Sequence, residues 1–195
     1  MYLIVDVETT GLNLNENDSL NERANVIQFA YAVYNEDKNM VASVNTLIKP
    51  EGWVIGEGAL RVHGIKQEDC EKLGIPLFNV INMFHNHAKI CDFIVAHNLK
   101  YDFKLLKFSY ERVGMLDEFP VHLKKVCTME CSKHIVKAKT KAGILKFPRL
   151  DECVNYFFQR PIKNYHTALT DVLECKNVFF KLNEMNSISI NEAIC

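Results

Sequence analysis

Two carboxylates near the start of the chain are spaced in a way that invites chemistry. Asp6 and Glu8 lie two residues apart in YLIVDVETTGL. Side chains alternate across a strand, so both project from one face with Cβ atoms roughly 7 Å apart. Like charges on one face of an apolar strand repel and are costly to bury, so a cation between them is expected; the alternative is a strand end open to solvent. Asp171 interrupts an apolar helical stripe between Ala168 and Val172, and His166 precedes it by five residues, roughly 7.5 Å of helical rise. A histidine so close to acids and a cation suits a general base near neutral pH. Asp102 follows the apolar run DFIVAHN, just beyond the carboxyl end of a strand, where α/β sheets hold their ligands. Asn98 adds an amide nearby. Singly, Asp171 reads as a helix-surface acid and Asp102 as a first-turn acid favoured by the helix dipole; four acids and one histidine together are a stronger signal. Hard oxygen ligands in a loose cluster suit Mg²⁺ or Mn²⁺ better than Zn²⁺. Two such ions about 4 Å apart would activate a water and stabilise the leaving oxygen in phosphodiester hydrolysis.

The elements that position these residues follow from periodicity. Residues 2–8 read as a strand and 13–24 (NLNENDSLNERA) as a polar loop, favoured by composition as a disordered insertion. VIQFAYAVYN and MVASVNTLIKP form a β-hairpin around NEDKN, so the sheet starts antiparallel. Short helices are expected over 56–65, ending at Gly64, and over 66–76, capped by Gly74 with Pro76 beyond. Phe78, Ile81, Phe84 and Ala88 recur at helical spacing. DFIVAHN is a buried strand, 101–113 a helix ended by Gly114, and 124–129 a short last strand. SKHIVKAKTKAGILKFPR, 132–149, reads as a basic loop or frayed helix. Helices over 150–159 and 168–184 close the chain, the latter burying Ala168, Val172, Cys175, Phe179 and Leu182. The expected fold is α/β: a mixed five-stranded sheet, with one antiparallel strand from the N-terminal hairpin, flanked by helices on both faces.

Composition restricts the alternatives. A chain of 195 residues and 22.5 kDa fits one domain, taken as 1–185 with a short tail over 186–195. A hydrophobic fraction of 48% with 24% charged residues is that of a soluble globular protein. With neither a signal-peptide pattern nor an apolar run of about 18 residues, no membrane role and a cytoplasmic location are expected, or a nuclear one in a eukaryote. Seven cysteines without a zinc-site spacing read as reduced core thiols. A net charge of -1 means that any surface for a polyanion is local.

The ordered motifs DVETTGL (6–12), HNLKYD (97–102) and HTALTD (166–171), with VHGI at 62–65, resemble the DEDDh 3′-to-5′ exonucleases. This family includes DnaQ-type proofreading subunits and ribonuclease T, and its fold is ribonuclease H-like. The resemblance spans nearly the whole chain. It implies that Asp6, Glu8 and Asp171 hold a first metal, that Asp6 bridges to a second supported by Asp102, and that His166 is the general base. Thr9 and Leu12 match positions contacting the terminal nucleotide, through a hydrogen bond near the 3′-OH and an apolar wedge, and Asn98 steadies that end of the site. The implied activity is release of 5′-mononucleotides from single-stranded DNA or RNA 3′ ends, in proofreading, repair or RNA end trimming. A DNA polymerase partner and a homodimer, frequent in the family, stay open. The competing reading is a catalytically idle nucleic-acid-binding or polymerase-scaffolding module, against which the intact acids and histidine argue.

Two further features bear on substrate. The cations between Lys133 and Arg149, with Phe147, suit a phosphate backbone and a stacked base, or equally a solvated loop. Glu16, Asp18 and Glu22 would repel phosphates, so the 13–24 loop should point away or act as a lid. His63 is read as a turn-anchoring or packed histidine.

Overall fold

Alternation along the first strand decides the architecture. In the computed structural model, which describes residues 1–162 and 167–185, β1 (Tyr2–Thr9) is the centre of a five-stranded sheet. Its odd residues Leu3, Val5 and Val7 enter one core, and Ile4 enters a second core on the opposite face. β2 (Val26–Tyr34) pairs antiparallel with β1 and with β3 (Met40–Leu47), while β4 (Phe93–Ala96) and β5 (Lys124–Cys127) continue parallel to β1. The order is β3-β2-β1-β4-β5, so β2 is the one antiparallel strand, as expected. β2 is buried along nearly its whole length because both its faces are covered.

α3 (Leu77–Ala88) and α4 (Leu99–Arg112) supply the first core, with Trp53 packed against it. α6 (Leu150–Phe158) and α7 (Ala168–Glu184) supply the second, joined by α5 (Thr128–Val136). α7 buries Ala168, Val172, Cys175, Phe179 and Leu182, the stripe read from the sequence. Two short helices, α1 (Glu57–His63) and α2 (Gln67–Leu73), precede α3. Gly64 ends α1 in the left-handed region at φ 71°. Gly74 serves a different purpose: its φ is -68°, but a side-chain carbon there would overlap the Cys70 carbonyl and the backbone of Ile48 and Lys49. No helix among the described residues is long and apolar enough to cross a membrane.

Four expectations need correction. Phe78 is exposed, and the buried face of α3 is made by Leu77, Val80, Ile81, Phe84 and Ala88, because the stripe is set by the sheet beneath rather than by the largest residues. The basic segment begins inside α5, and a bridge from Lys139 to Leu145 folds the rest into a small hairpin. The 13–24 loop is ordered. Arg23 donates to the carbonyls of Glu16 and Asp18 and pairs with Glu111 at 2.9 Å, while Arg112 donates to the carbonyls of Leu20 and Arg23. Polar composition removes a core but not the hydrogen bonds that pin this loop to α4. Finally, Cys70, Cys91, Cys127, Cys153 and Cys175 are free and buried, but Cys131 is disulfide-bonded.

Candidate active site

β1 runs past the parallel partner beside it. Its pairing with β4 covers Tyr2 to Ile4, whereas its pairing with β2 continues to Thr9. The carboxyl end of β1 therefore stands free on one side, and Asp6 and Glu8 sit on this extension, facing α7. Ala30 lies opposite Asp6 in the register and Gln28 opposite Glu8. The small Ala30 lets α7 approach the sheet. Gln28 Oε1 accepts from the Ala168 amide at 3.4 Å, tying the first turn of α7 to the strand.

That first turn carries Asp171. One carboxylate oxygen from each of Asp6, Glu8 and Asp171 lies within 4.8 Å of the others. Asp102 comes from the first turn of α4 and is 3% exposed. The corner that delivers it is Asn98, the residue before α4, held in the left-handed region at φ 76°, which asparagine tolerates better than most residues. Its side chain is exposed and makes no cap hydrogen bond, so Asn98 contributes the turn of the chain.

Each acid is held away from its ordinary state. Burial, followed by the charges of Asp102, Asp171 and Glu8, pushes Asp6 well above the carboxylate range. Burial and Asp171 push Glu8 up to about 7. Burial and Glu174 push Asp171 up to about 7. Asp102 rises to about 8 through burial and the charge of Glu8, against the amides of Asp102 and Val7. Asp171 Oδ1 is buried and has no hydrogen-bond partner among the described residues. A cluster of repelling hard oxygens with an orphaned buried lone pair fits a divalent cation such as Mg²⁺ or Mn²⁺.

Beside Glu8 a cleft of about 600 Å³ is lined by Thr9, Gly11, Leu12, Gly56, Ala59, Val62, His63 and Tyr101 among others. Leu12 is 83% exposed at its mouth. The Thr9 hydroxyl donates to the Gly11 carbonyl at 2.8 Å, and the Tyr101 hydroxyl lies 3.0 Å from both Thr9 Oγ1 and that carbonyl. This triangle fixes the turn that presents Leu12. His63 Nδ1 accepts the Ile65 amide at 2.9 Å, the turn-anchoring role expected of it, and its ring also forms cleft wall.

The structure thus brings Asp6, Glu8 and Asp171 together with Asp102 close by, and sets Thr9 and Leu12 on the adjoining cleft. His166 lies outside the described residues. Sequence reasoning missed Tyr101, whose signal was its place directly before Asp102, and Gln28, whose register opposite Glu8 appears only once β1 and β2 pair. It also passed over His97. That ring bonds Thr128 Oγ1 and the Pro148 carbonyl, each at 3.0 Å, and burial lowers its pKa to about 4. A neutral, fully bonded imidazole here splices the end of β4 to α5 and to the segment before α6.

Comparison with known proteins gives the family and the fold. A family model described as "Exonuclease" matches residues 3–179. The chain is 27% identical over 173 residues to a PolC-type DNA polymerase III of Lactococcus lactis, covering 87% of this chain and 9% of that protein. It is 26% identical over 172 residues to the DNA polymerase III subunit epsilon of Buchnera aphidicola, covering 87% and 67%. Among solved structures, Escherichia coli exonuclease I in complex with a dT13 oligonucleotide superposes with a TM-score of 0.77 at 16% identity, over 93% of this chain and 40% of that one. Exonuclease X in complex with 5′ overhanging duplex DNA gives 0.69 at 17% identity, over 99% and 97%. The chain thus spans about a tenth of the PolC relative.

Proposed function

This chain belongs to the exonuclease family, in its DEDDh branch, and on that premise we propose that it shortens single-stranded DNA or RNA from the 3′ end, releasing 5′-mononucleotides. The observation that carries the proposal is the Asp6, Glu8 and Asp171 cluster within 4.8 Å, unneutralised by any cation of the described chain and opening beside a nucleotide-sized cleft. Asp6, Glu8 and Asp171 would hold one Mg²⁺ or Mn²⁺, and Asp6 with Asp102 a second. When bound, such ions supply an activated water and charge stabilisation for the leaving oxygen. His166, which matches the family's general base in the HTALTD motif, would take a proton from the attacking water. The turn locked by Thr9 and Tyr101 holds Leu12 as an apolar wedge against the terminal base, and the cleft wall of Ala59, Val62 and His63 excludes water from the sugar side.

The polymerase names of the relatives support a role in proofreading, with a polymerase subunit as partner, while a freestanding nuclease fits the same site. Single-domain organisation over 1–185, dimerisation and a cytoplasmic location are part of the same proposal. The test is degradation of single strands labelled at either end, as DNA, RNA and mismatched duplex, with Mg²⁺ and then with EDTA. Stepwise loss from the 3′ end, abolished by EDTA, is expected. Binding without shortening in any divalent ion would establish the idle scaffold instead.

A further inference from the structure

One basic element has no part in the site described so far. The chain leaves α5 at Lys137, in the left-handed region at φ 52°, and residues 138–146 double back as the small hairpin. Lys139 bridges to Leu145, the Lys146 amide donates to the Ala138 carbonyl at 2.9 Å, and Gly143, at φ 81°, makes the tip. Residues two apart on one arm share a face, as do bridged partners across the arms, so Lys139, Leu145 and Phe147 project together. Leu145 is 42% and Phe147 45% exposed. No acid occurs between Cys131 and Leu150. On the returning side Lys146 pairs with Glu152 and Arg149 with Asp151, both in the first turn of α6, which ties the hairpin to that helix. The outgoing side keeps its charges: Lys137, Lys139 and Lys141 are exposed and enter no ion pair among the described residues.

The hairpin is fastened to the end of the sheet that bears the acids. Pro148, buried directly after Phe147, offers its carbonyl to His97 Nε2 at 3.0 Å, and the other ring nitrogen bonds Thr128 Oγ1. His97 follows the last residue of β4 and precedes Asn98, the corner that delivers Asp102. β4 runs parallel to β1, so the segment carrying Phe147 returns to the same end of the sheet as Asp6 and Glu8.

We infer that this hairpin is the arm that holds the single strand upstream of the scissile phosphate, with Lys137, Lys139 and Lys141 on its phosphates and Phe147 against a base. The inference rests on the exonuclease reading and adds where a long substrate is gripped. Charge and ring together select the occupant. Free ammonium groups along one arm match a polyanion, and an exposed ring beside them stacks on an unpaired base, which a duplex withholds. Lys133 Nζ, 4.4 Å over the Phe147 ring, holds one side of the ring and adds a cation where base and phosphate meet.

The experiment compares Lys137→Glu/Lys139→Glu/Lys141→Glu and Phe147→Leu with a control of equal charge, Lys49→Glu/Lys89→Glu/Lys100→Glu, in the full chain. Anisotropy of a labelled long single strand is followed across a salt series in EDTA, which keeps the strand intact. With Mg²⁺, kcat/KM is measured on that strand and on a p-nitrophenyl ester of a nucleoside 5′-monophosphate. Reversal on the hairpin should weaken strand binding and reduce the log–log salt slope by about 2, at about 0.7 per lost phosphate contact. Phe147→Leu should weaken binding by about 10-fold and leave the slope unchanged. Both should lower kcat/KM on the strand and leave hydrolysis of the small ester intact. Unchanged strand binding in either hairpin variant, an equal loss in the control, or an equal loss on the small ester overturns the proposal. A wild type that hydrolyses neither substrate defeats the exonuclease reading, and the anisotropy series still judges the hairpin.

Discussion

Asp171 and Glu174 stand one turn apart on α7, and the chain treats them in opposite ways. Burial pushes Glu174 upward, but Arg160 grips both its oxygens at 2.8 Å and Asn177 adds a third hydrogen bond, so its pKa ends below the ordinary value. Among the described residues Asp171 has no such cation and keeps one oxygen orphaned, and it is pushed up to about 7. The same contrast separates the start of α6 from the end of β1. Arg149 lowers Asp151, and Lys146 lowers Glu152 against its burial. Asp6, Glu8 and Asp102 receive no Lys or Arg partner among the described residues and rise. Where an acid is structural the protein supplies its counter-charge; at the carboxyl end of β1 the described chain supplies none, an arrangement that fits a divalent cation.

The sharpest way to break this comparison is to remove a site acid. Asp6→Ala and Asp171→Ala should each abolish shortening of a labelled strand and the thermal shift caused by Mn²⁺; either variant retaining both would show that the cluster is not a metal site. His166→Ala comes next. A general base is worth about 10²- to 10⁴-fold, so its rate should fall by that order while Mn²⁺ still stabilises the fold, and full activity would remove its assigned role.

A smaller effect reads out the electrostatics without turnover. The site acids have folded-state pKa values above their unfolded ones, so between about pH 4 and pH 8 the folded protein binds more protons than the unfolded chain. Metal-free stability is then highest at the acidic end of that window and falls as pH rises through it. The stabilisation by Mg²⁺ must grow over the same range. Asp102→Asn should raise the metal-free Tm at neutral pH, by roughly 2–4 °C for each kcal/mol of repulsion relieved. A metal-free Tm that climbs with pH would mean that the acids are already neutralised. The smallest effect belongs to the other side of the comparison: Arg160→Ala breaks a partly exposed pair and should cost about 1 kcal/mol or less, with the Mg²⁺ shift intact in a thermal melt.

Much of the fold was legible because its elements are locally consistent. The β2–β3 hairpin, α7 with its buried stripe, and the ends of α1 and α4 all follow from periodicity and glycine placement. The missed elements lacked local signals. α5 is short and half its turns are polar, so its helix is decided by packing on α6 and α7. The 13–24 loop is held by Arg23 and Arg112, neither of which announces its partners in sequence. Tyr101 and Gln28 have ordinary identities and matter only through the hydroxyl triangle at Gly11 and the bond to the Ala168 amide.

The sequence by itself determined which way the candidate acids must point. Asp6 and Glu8 must share a face because strand side chains alternate, and Asp171 must lie at the edge of a buried stripe because helical residues recur every 3.6 positions. Both are periodicities of the backbone, independent of what lies far along the chain. Only the tertiary structure decided that the three meet within 4.8 Å and that no lysine or arginine of the described chain joins them. These depend on β1 outrunning β4 and on two helices starting at the same end of the sheet. Residues 6, 102 and 171 come together through long-range packing, which no local spacing encodes.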